Sequence, residues 1–390
     1  MVGFYTAPAI AWGTGALEQL SGLGAQRAAI VIDPVVADRE GPRRAVEELE
    51  RAGTVVTSIA DASVSNRTDA IAELAGRLRS SNPDWVVAVG GGTTIDATKA
   101  ARLLLERPEL SLETPPVDLA LPDRPRTRMV AVPTTSGSGA EASWVADVVA
   151  PDGTPIELAH RTLVPDWAIV DPLFAEGLPT AAVVAGALET AALACEAYVS
   201  AWANPFSDAL AVDAVRTVVR RLPHALRWSD DPDARAALHY AATEAGIAQS
   251  NSQRGIAHAL ARALARPTGV RYATLLGILL PPVLEFDRPA ARERLDALAE
   301  ALRLPEERPV PPVAERLRRL AASSDAPTDL SAAGAQVAVL DGERARIVAE
   351  TLRSPAVLAN PKVPTPQDVE GLLTALVASA SKDRPGGRPG

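Results

Sequence analysis

The chain has 390 residues, 47% of them hydrophobic and 22% charged, with a formal net charge of −9. That length allows two domains with sizeable cores, and the acidic balance leaves no reason to expect nucleic acid or an anionic membrane as partner. A single cysteine, Cys195, excludes an internal disulfide and suits a reducing cytoplasm.

No charged leader with an apolar core opens the sequence, and no uninterrupted apolar run of membrane-spanning length is read in it. Three lysines stand against many arginines, which reads as GC-rich coding bias. In chain order, Phe4 to Trp12 is strand-like and GTGALEQL (13–20) starts a helix. Ala28 to Asp33 is a buried strand. An acidic group at the end of such a strand can hydrogen-bond ribose hydroxyls and repel a 2′-phosphate, so Asp33 is a candidate cofactor contact; the alternative is a solvated loop aspartate. Arg43 to Ala52 is helical, Thr54 to Ile59 a strand and Thr68 to Ser80 a helix, an alternation that predicts a parallel sheet with helices on both faces.

The organising stretch is Asp84 to Leu105. Val86 to Val89 is a short, mostly β-branched run, too brief for a helix. Gly90, Gly91 and Gly92 end it, and Thr93, Thr94 and Asp96 open an alanine-rich helix. Strand, glycine turn and helix N-terminus form a phosphate site, because glycines admit close approach and first-turn N–H groups face the anion. An ordinary tight turn is the alternative for the glycines alone. Pro108 to Arg128 is a proline-rich, charged connection. Met129 to Val132 then repeats the pattern, followed by PTTSGSG with Thr134, Thr135 and Ser138. Two such loops suggest one ligand at the carboxyl edge of a sheet. The spacing is not that of a Walker loop, and there is no GxGxxG.

Trp144 to Val149 and Trp167 to Val170 read as further strands. From Thr180 the pattern becomes helical, with stretches at 180–202, 205–221, 232–250, 255–266, 273–285, 290–302, 311–322, 341–353 and 366–380. The expected fold class is α/β, with a parallel-sheet domain over 1–172, an all-helical domain over 173–380 and a disordered tail over 381–390.

GGGTTIDATKA (90–100) followed by PTTSGSGAEAS (133–143) resembles the two dinucleotide-binding signatures of the iron-containing (group III) alcohol dehydrogenases, whose relatives include maleylacetate reductases and dehydroquinate synthases. AWGTGALEQL, LVPDWAIVDP, EAYVSAWANPFSDALA and NPKVPTPQDVEGLL extend the resemblance over nearly the whole chain. It implies a Rossmann-like first domain, NAD as cofactor with Asp33 disfavouring NADP, and a homodimer formed through N-terminal strands.

In that family a divalent metal is held by an Asp and three His. Through the EAYVS and NP anchors those positions fall on Glu189, Leu193, His258 and Tyr272, and a further family His falls on Arg262. One carboxylate and one imidazole are too few for a catalytic metal, so none is expected. His258 then becomes the candidate proton donor, Tyr272 a hydrogen-bond donor to a developing alkoxide and Glu189 a third catalytic group. Arg262 and Arg271 are candidates for binding a substrate carboxylate, and His160, beside Arg161, is a candidate cation for the substrate. The maleylacetate branch uses a cation where this chain has no lysine between Lys99 and Lys362. The expected function is a metal-independent NAD(H)-dependent oxidoreductase acting on a small carbonyl or alcohol. A non-redox lyase, cyclase or isomerase on the same fold is the alternative, with a catalytically silent scaffold or partner subunit as a third reading.

Overall fold

The computed structural model describes residues 5–61, 64–116, 119–122, 125–228, 231–304 and 311–382. Among them are the strands β1 (Ala9–Trp12), β2 (Arg27–Ile32), β3 (Val55–Ile59), β4 (Trp85–Gly90), β5 (Arg128–Pro133), β6 (Val145–Val149), β7 (Pro155–Ala159) and β8 (Trp167–Val170). Six form one parallel sheet in the order β1-β8-β5-β4-β2-β3, while β6 and β7 pair as a separate antiparallel hairpin.

Helices α1 (Glu40–Arg51), α2 (Thr68–Ser81) and α3 (Gly92–Glu106) cover the sheet. Its central strands β2, β4, β5 and β8 are almost wholly apolar because both faces are buried, whereas the edge strands β1 and β3 are partly exposed. Ala28, Ile30 and Ile32 meet Leu17, Leu20, Ala45 and Leu49 on one face. Their neighbours Ala29 and Val31, with Val86, meet Ile71, Leu74, Leu78 and Ala97 on the other. This is the two-residue period of a pleated strand.

The rest is helical: α4 (Thr180–Val199), α5 (Pro205–Arg227), α6 (Pro232–Ser252), α7 (Ile256–Thr268), α8 (Tyr272–Ala301), α9 (Pro312–Ser323), α10 (Val339–Arg353), α11 (Ala356–Ala359) and α12 (Pro366–Lys382). Helix α4 has the length and, at a mean hydropathy of 1.4, the apolar character to cross a bilayer, although Glu189 and Glu196 interrupt its apolar run. It is instead a core helix, since 83% of that window is buried inside the protein.

Several local expectations differ from the structure. The first strand starts at Ala9, not in the Phe4 region, and Phe4 itself lies outside the described residues. GALEQL forms a 3₁₀ helix, entered through Gly15 at φ 85°, a left-handed conformation that suits glycine. Strand β7 was not anticipated, because Pro155 heads it. The stretches 273–285 and 290–302 run on as α8, with Ala291 alone non-helical (φ −117°, ψ 20°), two residues after Pro289. Tail positions 383–390 lie outside the described residues.

Candidate active site

Three adjacent strands, β2, β4 and β5, deliver Asp33, the triple glycine and the PTTSGSG loop to one carboxyl edge. Asp33 N–H donates to Val89 O (2.9 Å), and its Oδ1 accepts from Val35 N–H (2.9 Å). Helix α3 starts at Gly92 with Gly91 as N-cap, and no side chain caps its first-turn donors. That leaves the N-terminus of a 15-residue helix available to an anion.

The two loops touch. A Cβ on Gly92 would lie 2.8 Å from Ser138 Oγ, and one on Gly91 would lie 3.2 Å from Thr135 Cγ2. Thr134 N–H donates to Gly90 O (3.0 Å). Thr93 is exposed at the helix start, whereas Thr94 is buried. Such a cradle of main chain and small hydroxyls fits a dinucleotide pyrophosphate.

Asp96 does not face this cradle openly. It is buried, accepts from Asp147 N–H (3.1 Å) and lies 3.5 Å from Lys99 Nζ. Burial pushes its carboxyl up to about 6, and Lys99 pulls the other way. Lys99 Nζ also donates to Ser143 O and Val145 O, each at 2.8 Å. Helix α3 is therefore tied to the β6–β7 hairpin.

The PTTSGSG loop meets the helical half by main chain. A Cβ on Gly137 would fall 2.8 Å from Gly186 Cα of α4, and one on Gly139 would fall 2.5 Å from Gly246 Cα of α6. Ser136 Oγ is 3.0 Å from Nδ1 of His239, a buried imidazole pushed down to about 4 by desolvation.

Beyond the loop lie the residues of the helical half. Glu189 sits beside Gly137, and burial pushes its carboxyl up to about 7, against the pull of Arg254. Leu193, one turn on, is part of the apolar core at 2% exposure. His258 is buried; its Nδ1 contacts Glu196 Oε2 and its Nε2 has no partner among the described residues. The Tyr272 ring lies 6.1 Å from the imidazole at 63°. Its enclosed hydroxyl also lacks a partner there, and burial raises its pKa.

The three residues expected to bind substrate are placed differently from one another. Arg262 hydrogen-bonds Glu157 and forms an ion pair with Asp147 at 3.2 Å, so both terminal nitrogens face carboxylates. Arg271 is exposed at the start of α8 and pulls the Glu189 carboxyl down. His160 caps the short 3₁₀ turn after β7, with Nδ1 2.8 Å from Thr162 Oγ1.

Sequence reasoning missed Glu196, Arg254, Asp147 and Glu157. Arg254 donates to Asp147 Oδ2 and Gln249 Oε1, both at 2.6 Å. It is aimed by Gln253, which ends α6 at φ 75°, ψ 158°, a conformation nearly reserved for glycine. Gln253→Gly should relieve this strain and raise unfolding stability by roughly 1 kcal/mol after its own entropic cost. An unchanged or lowered urea midpoint would count against it.

A divalent metal does not fit the donor set. Leu193 is apolar, and among the described residues no three His, Cys, Asp or Glu side chains are grouped to hold an ion. Two conventional donors, Glu189 and His258, do not make a site.

Behind His258, Asn360 accepts from Ile256 N–H (2.9 Å) and donates to Asp287 Oδ1 (2.6 Å). Burial pushes the Asp287 carboxyl up to about 8. The folded state therefore holds this proton, and the stability it contributes is complete below about pH 4 and lost as pH rises to about 8. The loss is on the order of 1 kcal/mol per pH unit across that window. Asp287→Asn should flatten that part of the stability profile; urea melts with the same pH slope as the unsubstituted protein would refute this.

The iron-containing alcohol dehydrogenase profile matches residues 7–172, and the C-terminal profile of the Fe-containing alcohol dehydrogenase family matches residues 183–377. A probable alcohol dehydrogenase, EutG, of Escherichia coli K12 is 36% identical over 237 residues, which is 60% of this chain and 59% of that protein. The chain thus aligns with about three-fifths of that relative's length. An NADPH-dependent butanol dehydrogenase of Clostridium saccharobutylicum is 30% identical over 76% of each chain. The structure of an iron-containing alcohol dehydrogenase from Thermococcus thioreducens superposes with a TM-score of 0.86 at 29% identity, covering 96% of this chain and 99% of that one. Matched in both halves, with the nucleotide loops on one sheet edge and the helical half beyond them, the chain belongs to the iron-containing alcohol dehydrogenase family.

Proposed function

We propose that this chain is an oxidoreductase that interconverts a small alcohol and its carbonyl with NAD(H), without a catalytic metal. The observation that carries this reading is the contact of the triple-glycine turn with the PTTSGSG loop at one sheet edge; the metal-free part is supported by the apolar, buried Leu193 and the unpartnered Tyr272 hydroxyl, which the sequence resemblance aligns with the family's metal ligands. A bound nicotinamide would supply or accept the hydride.

The chain's own residues do the rest. Gly90 to Thr94, Thr134, Thr135 and Ser138 hold the phosphates, and Asp33 takes the ribose. His258 Nε2 exchanges the proton with the substrate oxygen, and the Tyr272 hydroxyl hydrogen-bonds that oxygen. Leu193 keeps the floor dry, which strengthens both contacts. Glu189, with its proton held near neutral pH, is a second acid in reach of the nucleotide loop.

Asp33 favours NADH over NADPH, unlike the cofactor in the clostridial relative's name, because a 2′-phosphate beside it meets a repulsion of ~1–4 kcal/mol. The same reading takes the chain as two domains joined near residue 172, dimeric through the exposed edge of β1, and cytoplasmic.

Titration with NADH and NADPH, then turnover over alcohols and carbonyls with and without EDTA, tests the reading. NADH should bind more tightly and turnover should survive chelation. Chelator-abolished activity restored by one metal per chain would overturn the metal-free mechanism, and NADH binding with no turnover would move the chain to non-redox chemistry.

A further inference from the structure

Glu196 lies on α4, seven residues after Glu189 and so on nearly the same face, with a side chain 1% exposed. Every contact seen on its carboxylate comes from a donor or from His258. Gly255 N–H reaches Oε2 at 3.0 Å, Ala257 N–H reaches Oε1 at 2.6 Å, and His258 Nδ1 contacts Oε2.

Helix α7 has no side-chain cap of its own, so Glu196 and Asn360 between them take up its first N–H groups from outside. There is no slack in the arrangement. A Cβ on Gly255 would lie 2.7 Å from both Glu196 Oε1 and Asn360 Oδ1. An ionised carboxylate can only accept, so the imidazole nitrogen facing it carries the hydrogen. In neutral His258 that leaves a lone pair on Nε2, the atom that is buried without a partner beside Tyr272.

We propose that Glu196 is a positioning residue which locks His258 in the Nδ1–H tautomer and so turns Nε2 into the proton acceptor of the cleft. This rests on the oxidoreductase reading above. In alcohol oxidation the substrate O–H bond breaks, a bond forms between that proton and Nε2, and the O–H electron pair becomes the second C–O bond as hydride leaves carbon for the nicotinamide cofactor. The imidazolium formed stays paired with Glu196. Carbonyl reduction runs the same transfers backwards.

The test begins with unsubstituted protein carrying ¹⁵N-labelled histidine. The chain has four histidines, so the signal missing from His258→Gln identifies residue 258 in a long-range ¹H–¹⁵N spectrum. Neutral His258 should show a protonated Nδ1 and a bare Nε2; a protonated Nε2 overturns the proposal. Glu196→Gln, whose amide cannot accept from all three groups, should release the tautomer and lower kcat by about 10²-fold or more, with KM and NADH affinity within about threefold. An unchanged kcat in a folded Glu196→Gln protein overturns it too. If that variant does not fold, the first spectrum decides. Absence of turnover in the unsubstituted protein would remove the oxidoreductase reading instead, and the tautomer would still show whether Glu196 positions His258.

Discussion

Replacing His258 by alanine is expected to lower kcat by about 10²–10⁴-fold, the usual contribution of a placed proton-transfer group. NADH affinity should hardly change, since the glycine-rich loops lie on the sheet edge and, among the described residues, no hydrogen bond joins them to this imidazole. The fold should survive, because the Glu196 carboxylate keeps its two main-chain donors, Gly255 and Ala257. Stopped-flow reduction with saturating NADH separates the effects. A loss carried wholly by KM, or a His258→Ala protein as fast as the original, would show that the proton travels elsewhere. Tyr272→Phe makes the comparison, and it should cost less, because it removes one hydrogen bond and leaves the proton acceptor in place.

Lys99→Met should destabilise the protein by roughly 3–5 kcal/mol, the cost of breaking a buried ion pair from one side. The ammonium is almost fully buried, and its partners are two carbonyl oxygens and the Asp96 carboxylate. Methionine fills the volume but takes a donor away from all three. Part of the loss should return in the Lys99→Met/Asp96→Asn double variant, since the uncompensated charge is then gone. Chemical unfolding monitored by tryptophan fluorescence measures both. A single variant within about 1 kcal/mol of the original would mean that Asp96 adapts by taking a proton at little cost.

The sheet and its loops were legible because their signals are local. A β-branched run between turn residues and a glycine cluster before an alanine-rich helix need no distant partner to be recognised. The ion pairs of the cleft were not legible, since Asp147 meets Arg254 across 107 residues and Glu157 meets Arg262 across 105. Their one local trace is an acid inside an apolar run, Asp147 in VADVV and Glu196 in ALACEAYV, where an unpaired charge would be costly. The forked arginine expected to grip substrate illustrates the limit. Residue type gave Arg262 the right chemistry, and only the fold reveals that Asp147 and Glu157 already use it.

The glycine pairs 137/186 and 139/246 also restrict how the two halves can move. Packed helices slide when side chains can hop between neighbouring rotamers, and main chain resting on main chain has no rotamers to offer. Translation along this seam therefore meets main-chain atoms directly. The contact joins the PTTSGSG loop to α4 and α6 as one mechanical unit, so a displacement of either helix at this point is passed to the loop without being absorbed by side chains.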